Sequence, residues 1–163
     1  MQEAIAAAEP IFPLTVPERF LSEWVEQTTL DRVCPEIRAG AVEFESHHEH
    51  NLLMEAMIYP PRPATHFKEA RDMCRDSGWE PAKIGALFAL AEHRRDLVTQ
   101  FDIQALGSVR PIGTENTVLV PTLILHCKLH QMVLRSWLGE TFQGPRANKQ
   151  RRTHYLLVRP RRT

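Results

Sequence analysis

The stretch TLILHCKLHQMVLRSWL, residues 122–138, decides how the chain is read, because it is long, nearly all apolar and open to two periods. As a strand it alternates poorly. As a helix it gathers Lys128, Gln131 and Arg135 on one narrow polar stripe, so the spacing predicts a mostly buried helix, capped by Thr122 and ended by Gly139. Just before it, residues 117–120 read as a short apolar strand stopped by Pro121.

Working outward toward the C-terminus, a loop over 143–153 leads to an apolar run, 155–158, that predicts a last strand between two basic clusters. In the other direction, 107–116 reads as a loop. From Thr99 the period is two, with Phe101, Ile103 and Ala105 facing one way and Gln100, Asp102 and Gln104 the other, a half-buried strand. A helix beginning at Pro81 puts Ile84, Leu87, Phe88 and Ala91 on one stripe opposite His93, Arg94 and Asp96. The preceding helix starts at a Thr65 cap, buries Phe67, Ala70, Met73 and Cys74, and stops at Gly78.

Pro60, Pro61 and Pro63 end a strand over 52–59, which His50 and Asn51 turn back from an alternating strand over 41–46. Thr15 and Glu18 have capping-box spacing, with Pro17 in the first turn and Phe20, Leu21, Trp24 and Val25 on one face of a helix that ends before Pro35. Residues 1–14 read as a loosely held arm. The sum is a single α+β domain over 15–163, about four helices packed on a small, mainly antiparallel sheet, with a basic C-terminal region over 143–163.

At 163 residues, 43% hydrophobic and 25% charged, the chain has the composition of one globular domain. The N-terminal MQEAIAAAEPIFP has neither the positive start nor the long apolar run of a secretory signal, so cytoplasmic residence is expected. No apolar stretch is long enough to span a bilayer, so no membrane association is expected. Cys34, Cys74 and Cys127 are odd in number and far apart, and all three read as small buried hydrophobes.

The charge is polarised although the net is zero. The first 60 residues hold eleven Asp and Glu against three Arg, whereas after Glu140 there is no acid at all. Arg146, Lys149, Arg151, Arg152, Arg159, Arg161 and Arg162 fill that end, six of the seven being arginine, whose planar fork suits phosphate. They are the candidate nucleic-acid-binding residues, with Trp137, His154 and Tyr155 as stacking surfaces. Glu43 and Glu45 make a candidate partner-binding edge for a basic protein, and the same polarity allows head-to-tail homo-oligomers.

His47, His48 and His50 form the densest cluster of possible ligands, and His126 and His130 have the H-x-x-x-H spacing of a helical metal pair, so a divalent metal such as zinc is the alternative cofactor to none. Cys127 stands where a zincin carries its catalytic Glu, which excludes that enzyme class. No serine lies in a G-x-S-x-G context and no glycine-rich turn joins strand to helix, which removes nucleophile-elbow hydrolases and phosphate-loop enzymes. The sequence therefore points to a non-enzymatic accessory protein that contacts nucleic acid or a nucleoprotein complex through its basic C-terminal region. The alternatives are an inhibitor or assembly factor acting through the acidic N-terminal third and a metal-dependent enzyme using the histidines.

Overall fold

Residues 122–138 form a β-hairpin. In the computed structural model, which describes residues 11–17, 19–38, 52–60, 67–76, 78–108, 110–111, 118–137 and 153–161, strand β7 (Val118–His126) turns at Cys127 and Lys128 and returns as β8 (Leu129–Trp137). Pairing runs unbroken from His126↔Leu129 to Val118↔Trp137. Both turn residues have positive φ, 52° and 65°, the geometry of a two-residue type I′ turn. The sequence disguises it, since neither turn residue is Asn or Gly. Pro121 does not stop β7: its carbonyl accepts the Ala105 N–H at 3.2 Å, so its nitrogen also faces the β5 side, one residue past the end of that neighbour at Gln104.

The remaining strands are β1 (Phe12–Val16), β2 (Arg32–Val33), β3 (Leu52–Tyr59), β4 (Glu80–Pro81), β5 (Asp102–Gln104), β6 (Arg110–Pro111) and β9 (Thr153–Pro160). All nine segments join one sheet in the order β1-β3-β9-β5-β7-β8-β2, with β4 completing β9 and β6 completing β7. Pairing is antiparallel except for β2 with β8 and β5 with β9. Five helices are described: α1 (Leu21–Gln27), α2 (Pro35–Arg38), α3 (Phe67–Asp76), α4 (Ile84–His93) and α5 (Arg95–Gln100). The architecture is α+β as expected, but the sheet is the dominant element and the helices are five and mostly short.

Helices α1, α2, α4 and α5 cover one face of the sheet. Phe12, Leu14, Ala56, Ile58, Leu156, Val158, Ile103, Leu123 and Met132 meet Leu87, Phe88, Leu90, Leu97 and Val98 there. Phe88, Leu87 and Leu90 are wholly buried, each contributing about 1.5–3 kcal/mol by leaving water. The other face carries a second core of Met57, Tyr59, Val120, Tyr155 and Leu157 with Ala70 and Cys74 of α3 and Trp79.

Several local expectations change. β1 begins at Phe12, inside the stretch expected to be an arm, and Thr15 lies in it, so α1 starts at Leu21 instead. There Glu23 Oε1 accepts the Phe20 N–H at 3.1 Å, the reach-back half of a capping box, while Phe20 has no oxygen to supply the other half. Pro81 belongs to β4 and α4 starts at Ile84, whose N–H is capped by Ser108 Oγ at 2.9 Å. The period-two stretch from Thr99 is a strand only over Asp102–Gln104, and both its faces are buried. Of the cysteines, Cys74 is buried, Cys34 half-buried and Cys127 exposed on the hairpin turn.

Candidate functional site

A cavity of about 340 Å³ opens where β1, β3 and β9 end against α1 and the start of α4. Its position follows from the helix faces. Leu21 and Trp24 lie one turn apart on α1 and turn inward together, while Ile84, Gly85 and Ala86 form the first turn of α4. Val16, Met54 and Val158 close the sheet side, so the walls are aliphatic with one indole. Phe88 stacks on Trp24 with ring centroids 5.7 Å apart and planes 11° from parallel, and the Arg19 guanidinium lies 4.5 Å from the ring centroid.

One corner of the cavity is polar and consists of donors. Trp24 is only 3% exposed, and its indole N–H has no acceptor among the described residues. A β-carbon built on Gly85 would stand 3.4 Å from Trp24 Nε1, so the indole nitrogen and the Gly85 backbone border the same space. On either side of Gly85 the N–H groups are engaged, Ile84 by Ser108 Oγ and Ala86 by the Lys83 carbonyl at 3.0 Å, whereas that of Gly85 has no acceptor among the described residues. α4 carries no acid in its first turn and no side-chain cap from Lys83, so no negative charge of its own offsets its positive dipole end beyond the neutral Ser108 hydroxyl on Ile84.

Four charged residues line the cavity: Arg19, Lys83, Arg159 and Glu80. Arg19 Nη1 bonds Glu92 Oε1 at 3.2 Å, and its other N–H groups have no partner among the described residues. Glu80 is bonded by Arg75 Nε at 3.4 Å and is largely exposed. The lining holds no histidine, cysteine or serine.

The sequence-derived candidates fall elsewhere. His126 and His130 do not share a helix face: in the hairpin His126 is opposite Leu129 and His130 opposite Leu125, which points their side chains to opposite faces of the sheet. His126 is exposed, while His130 is half-buried with Nδ1 3.8 Å from Asp31 Oδ2, and its backbone N–H donates to the same oxygen at 2.7 Å. Among the described residues no group of three His, Cys, Asp or Glu stands close enough to hold a metal ion. His47, His48, His50, Glu43 and Glu45 lie outside the described residues, as do Arg146, Lys149, Arg151, Arg152 and Arg162.

Of the basic set, Arg159 is committed within the fold, Nε and Nη2 each 2.8 Å from Glu55 Oε2 and the guanidinium 4.1 Å from the centroid of Trp79. Arg161 is exposed, its N–H donating to the Leu53 carbonyl at 3.3 Å. His154 and Tyr155 are buried, His154 against Phe101 with ring centroids 4.2 Å apart, so neither presents a stacking surface.

A buried polar row also escapes sequence reading. Asp102 on β5 and Arg135 on β8 meet across the intervening β7, Arg135 Nη1 donating to Asp102 Oδ2 at 3.1 Å. Beside them Gln104 Nε2 donates to Thr122 Oγ1 at 3.3 Å. Alternation had placed Asp102 and Gln104 outward, and Arg135 on a solvated helix stripe.

Thiol acidity follows burial: desolvation pushes Cys74 up to about 11 and also raises Cys34, so neither is poised as a nucleophile. Asp96 is held below the usual carboxylate range by hydrogen bonds from Arg94 at 3.0 and 3.1 Å. Among the described residues no helix is long and apolar enough to cross a membrane. No family model matches the chain, and no curated protein and no solved structure shows significant similarity to it.

Proposed function

We propose that the protein is a non-enzymatic binding protein that holds a small molecule with an apolar body in the cavity between α1, the start of α4 and the ends of β1, β3 and β9. One observation carries this reading: an aliphatic chamber of about 340 Å³ with a single polar corner, within the size range of ligand sites and lined mainly by apolar side chains. At about 30 Å³ per water-sized unit the space accepts roughly a dozen heavy atoms.

Octanol, a neutral probe of suitable length, tests it by titration calorimetry together with intrinsic tryptophan fluorescence. Saturable one-to-one binding is expected, and Gly85→Leu, which fills the chamber from its open wall, is expected to weaken it at least tenfold while the thermal transition is kept. No binding by the wild type, or equal binding by the folded variant, overturns the reading.

A second reading, contact with nucleic acid through the basic C-terminal region, draws on the position of β9. That strand is interior and eight residues long, and Arg161, just beyond its C-terminal end, is exposed. Unaltered low-salt affinity for DNA and RNA after Arg151, Arg152, Arg161 and Arg162 are changed to Glu ends it.

A further inference from the structure

We infer that the cavity selects carboxylates: an acyl or aryl carboxylate of about a dozen heavy atoms, with its head at the Trp24–Gly85 corner and its body along Val16, Leu21 and Met54. This deepens the proposed function and rests on it. The corner offers hydrogen-bond donors without a protein acceptor, namely the indole N–H of a residue 3% exposed and the Gly85 N–H in the first turn of a ten-residue helix. Two donors that border one space match the two oxygens of a carboxylate, and the helix dipole adds a fixed partial positive charge where that head would sit.

The surrounding charge favours the same sign. Arg19, Lys83 and Arg159 line the cavity with Glu80; Arg159 is paired with Glu55 and Glu80 with Arg75, which leaves the guanidinium of Arg19, bonded through one N–H to Glu92, and the Lys83 ammonium as the cations nearest in kind to a carboxylate head. Arg19 spends one N–H on Glu92 and lies over the Trp24 ring, within reach of a group bound beside the indole. A neutral head of equal length loses the charge-assisted part of these bonds, and an ammonium head at that corner meets donors and the Arg19 cation. Gly85 matters to the geometry: a β-carbon there would stand 3.4 Å from Trp24 Nε1, in the space beside the indole donor.

The test is calorimetric titration of the full chain with octanoate, octanol and octylamine, which share a body and differ in the head. Octanoate is expected to bind at least tenfold more tightly than octanol, and octylamine more weakly than either. Trp24→Phe keeps a ring and removes the N–H, and Gly85→Ala places a methyl over it. Each is expected to bring the octanoate to octanol ratio close to one with octanol affinity held within about threefold, a split that general loss of structure does not produce.

Equal affinity for octanoate and octanol in the wild type overturns the carboxylate inference and leaves the cavity reading standing. A preference for octanoate that survives both variants overturns it as well, because the head then sits elsewhere. Failure of all three compounds to bind removes the cavity reading and this inference together.

Discussion

Gly107→Ala is expected to be among the most damaging single-methyl additions to this fold. A β-carbon at Gly107 would lie 2.6 Å from the Pro81 carbonyl oxygen, 2.7 Å from that of Ala82 and 3.0 Å from the Ala82 carbonyl carbon. The two oxygen contacts are roughly 0.7 Å or more short of ordinary van der Waals separation. Neither carbonyl is able to yield cheaply: Pro81 pairs with Leu157 in the sheet, Ala82 donates to the Leu156 carbonyl at 3.0 Å, and its own carbonyl accepts the Gly107 N–H at 2.8 Å.

Relief therefore separates Gly107 from Ala82, which loses a hydrogen bond of about 0.5–1.5 kcal/mol. It also drags Ser108, whose hydroxyl caps α4 through the Ile84 N–H, a further loss of about 1 kcal/mol. Adding about 1–3 kcal/mol of overpacking gives a total on the order of 3–5 kcal/mol. For a chain of this length that lowers the thermal midpoint by on the order of 10 °C. Urea unfolding of the wild type and variant, followed by far-UV circular dichroism, measures it. A loss below about 1 kcal/mol with an unchanged denaturant slope refutes the steric argument.

The other glycine of the seam behaves oppositely: Gly85→Ala meets only contacts of 3.4 Å or more and gains helix propensity, so thermal melts are expected to show it no less stable, by up to about 1 kcal/mol. Arg135→Met removes the cation from the buried pair with Asp102 and is expected to cost about 3–5 kcal/mol, whereas the joint change with Asp102→Leu is expected to cost less than the two single changes added together; a double-mutant cycle in urea separates the two. Cys127→Asn with Lys128→Gly relieves two left-handed non-glycine residues and is expected to raise stability by about 1–2 kcal/mol in the same assay. Because burial holds the Cys74 thiol at about 11 against 9.0 in the open chain, the folded state binds more protons between those values. Stability is therefore expected to fall as pH rises from about 9 to 11, by roughly 2–3 kcal/mol, and a Cys74→Ala variant measured over the same range is expected to show a shallower fall.

The alternation and stripe arguments worked where one period had one burial. Residues 52–59 are β3 to the residue, and Ala70 and Cys74 on α3 and Ile84, Leu87, Phe88 and Ala91 on α4 are buried as their spacing requires. They failed at interior strands. β7 is buried over much of both faces and β8 is nowhere exposed on its described side chains, which erases alternation, and the turn between them lacks the Asn-Gly signature that marks a hairpin. The polar residues of β5, β7 and β8 bond one another across three strands, a pairing that no local window contains.

The candidate site was half legible. Trp24 and Ile84 were visible as inward-facing helix residues, but as core rather than as the wall of a chamber. The one local hint was Gly85, an isolated glycine in an otherwise apolar helical run. What the sequence hid was its partner, since Trp24 and Gly85 belong to helices sixty residues apart. The charge polarity was plain, but its Arg159 is answered by Glu55, also distant in the chain.

β9 follows every other described element in the chain yet takes the third place in the sheet, between β3 and β5. Tyr59 waits for Tyr155 and Met54 for Pro160, about a hundred residues downstream. At ribosomal rates of about 5–20 residues per second, that is some 5–20 s in which β3 has left the tunnel with one edge unfilled and Ala56, Met57 and Ile58 in water. The sheet therefore closes on an interior strand last, after every other described strand has been made. A trigger-type chaperone engaging the nascent β3 segment, or a neighbouring chain adding a strand to the same open edge, competes with β9 for one and the same place.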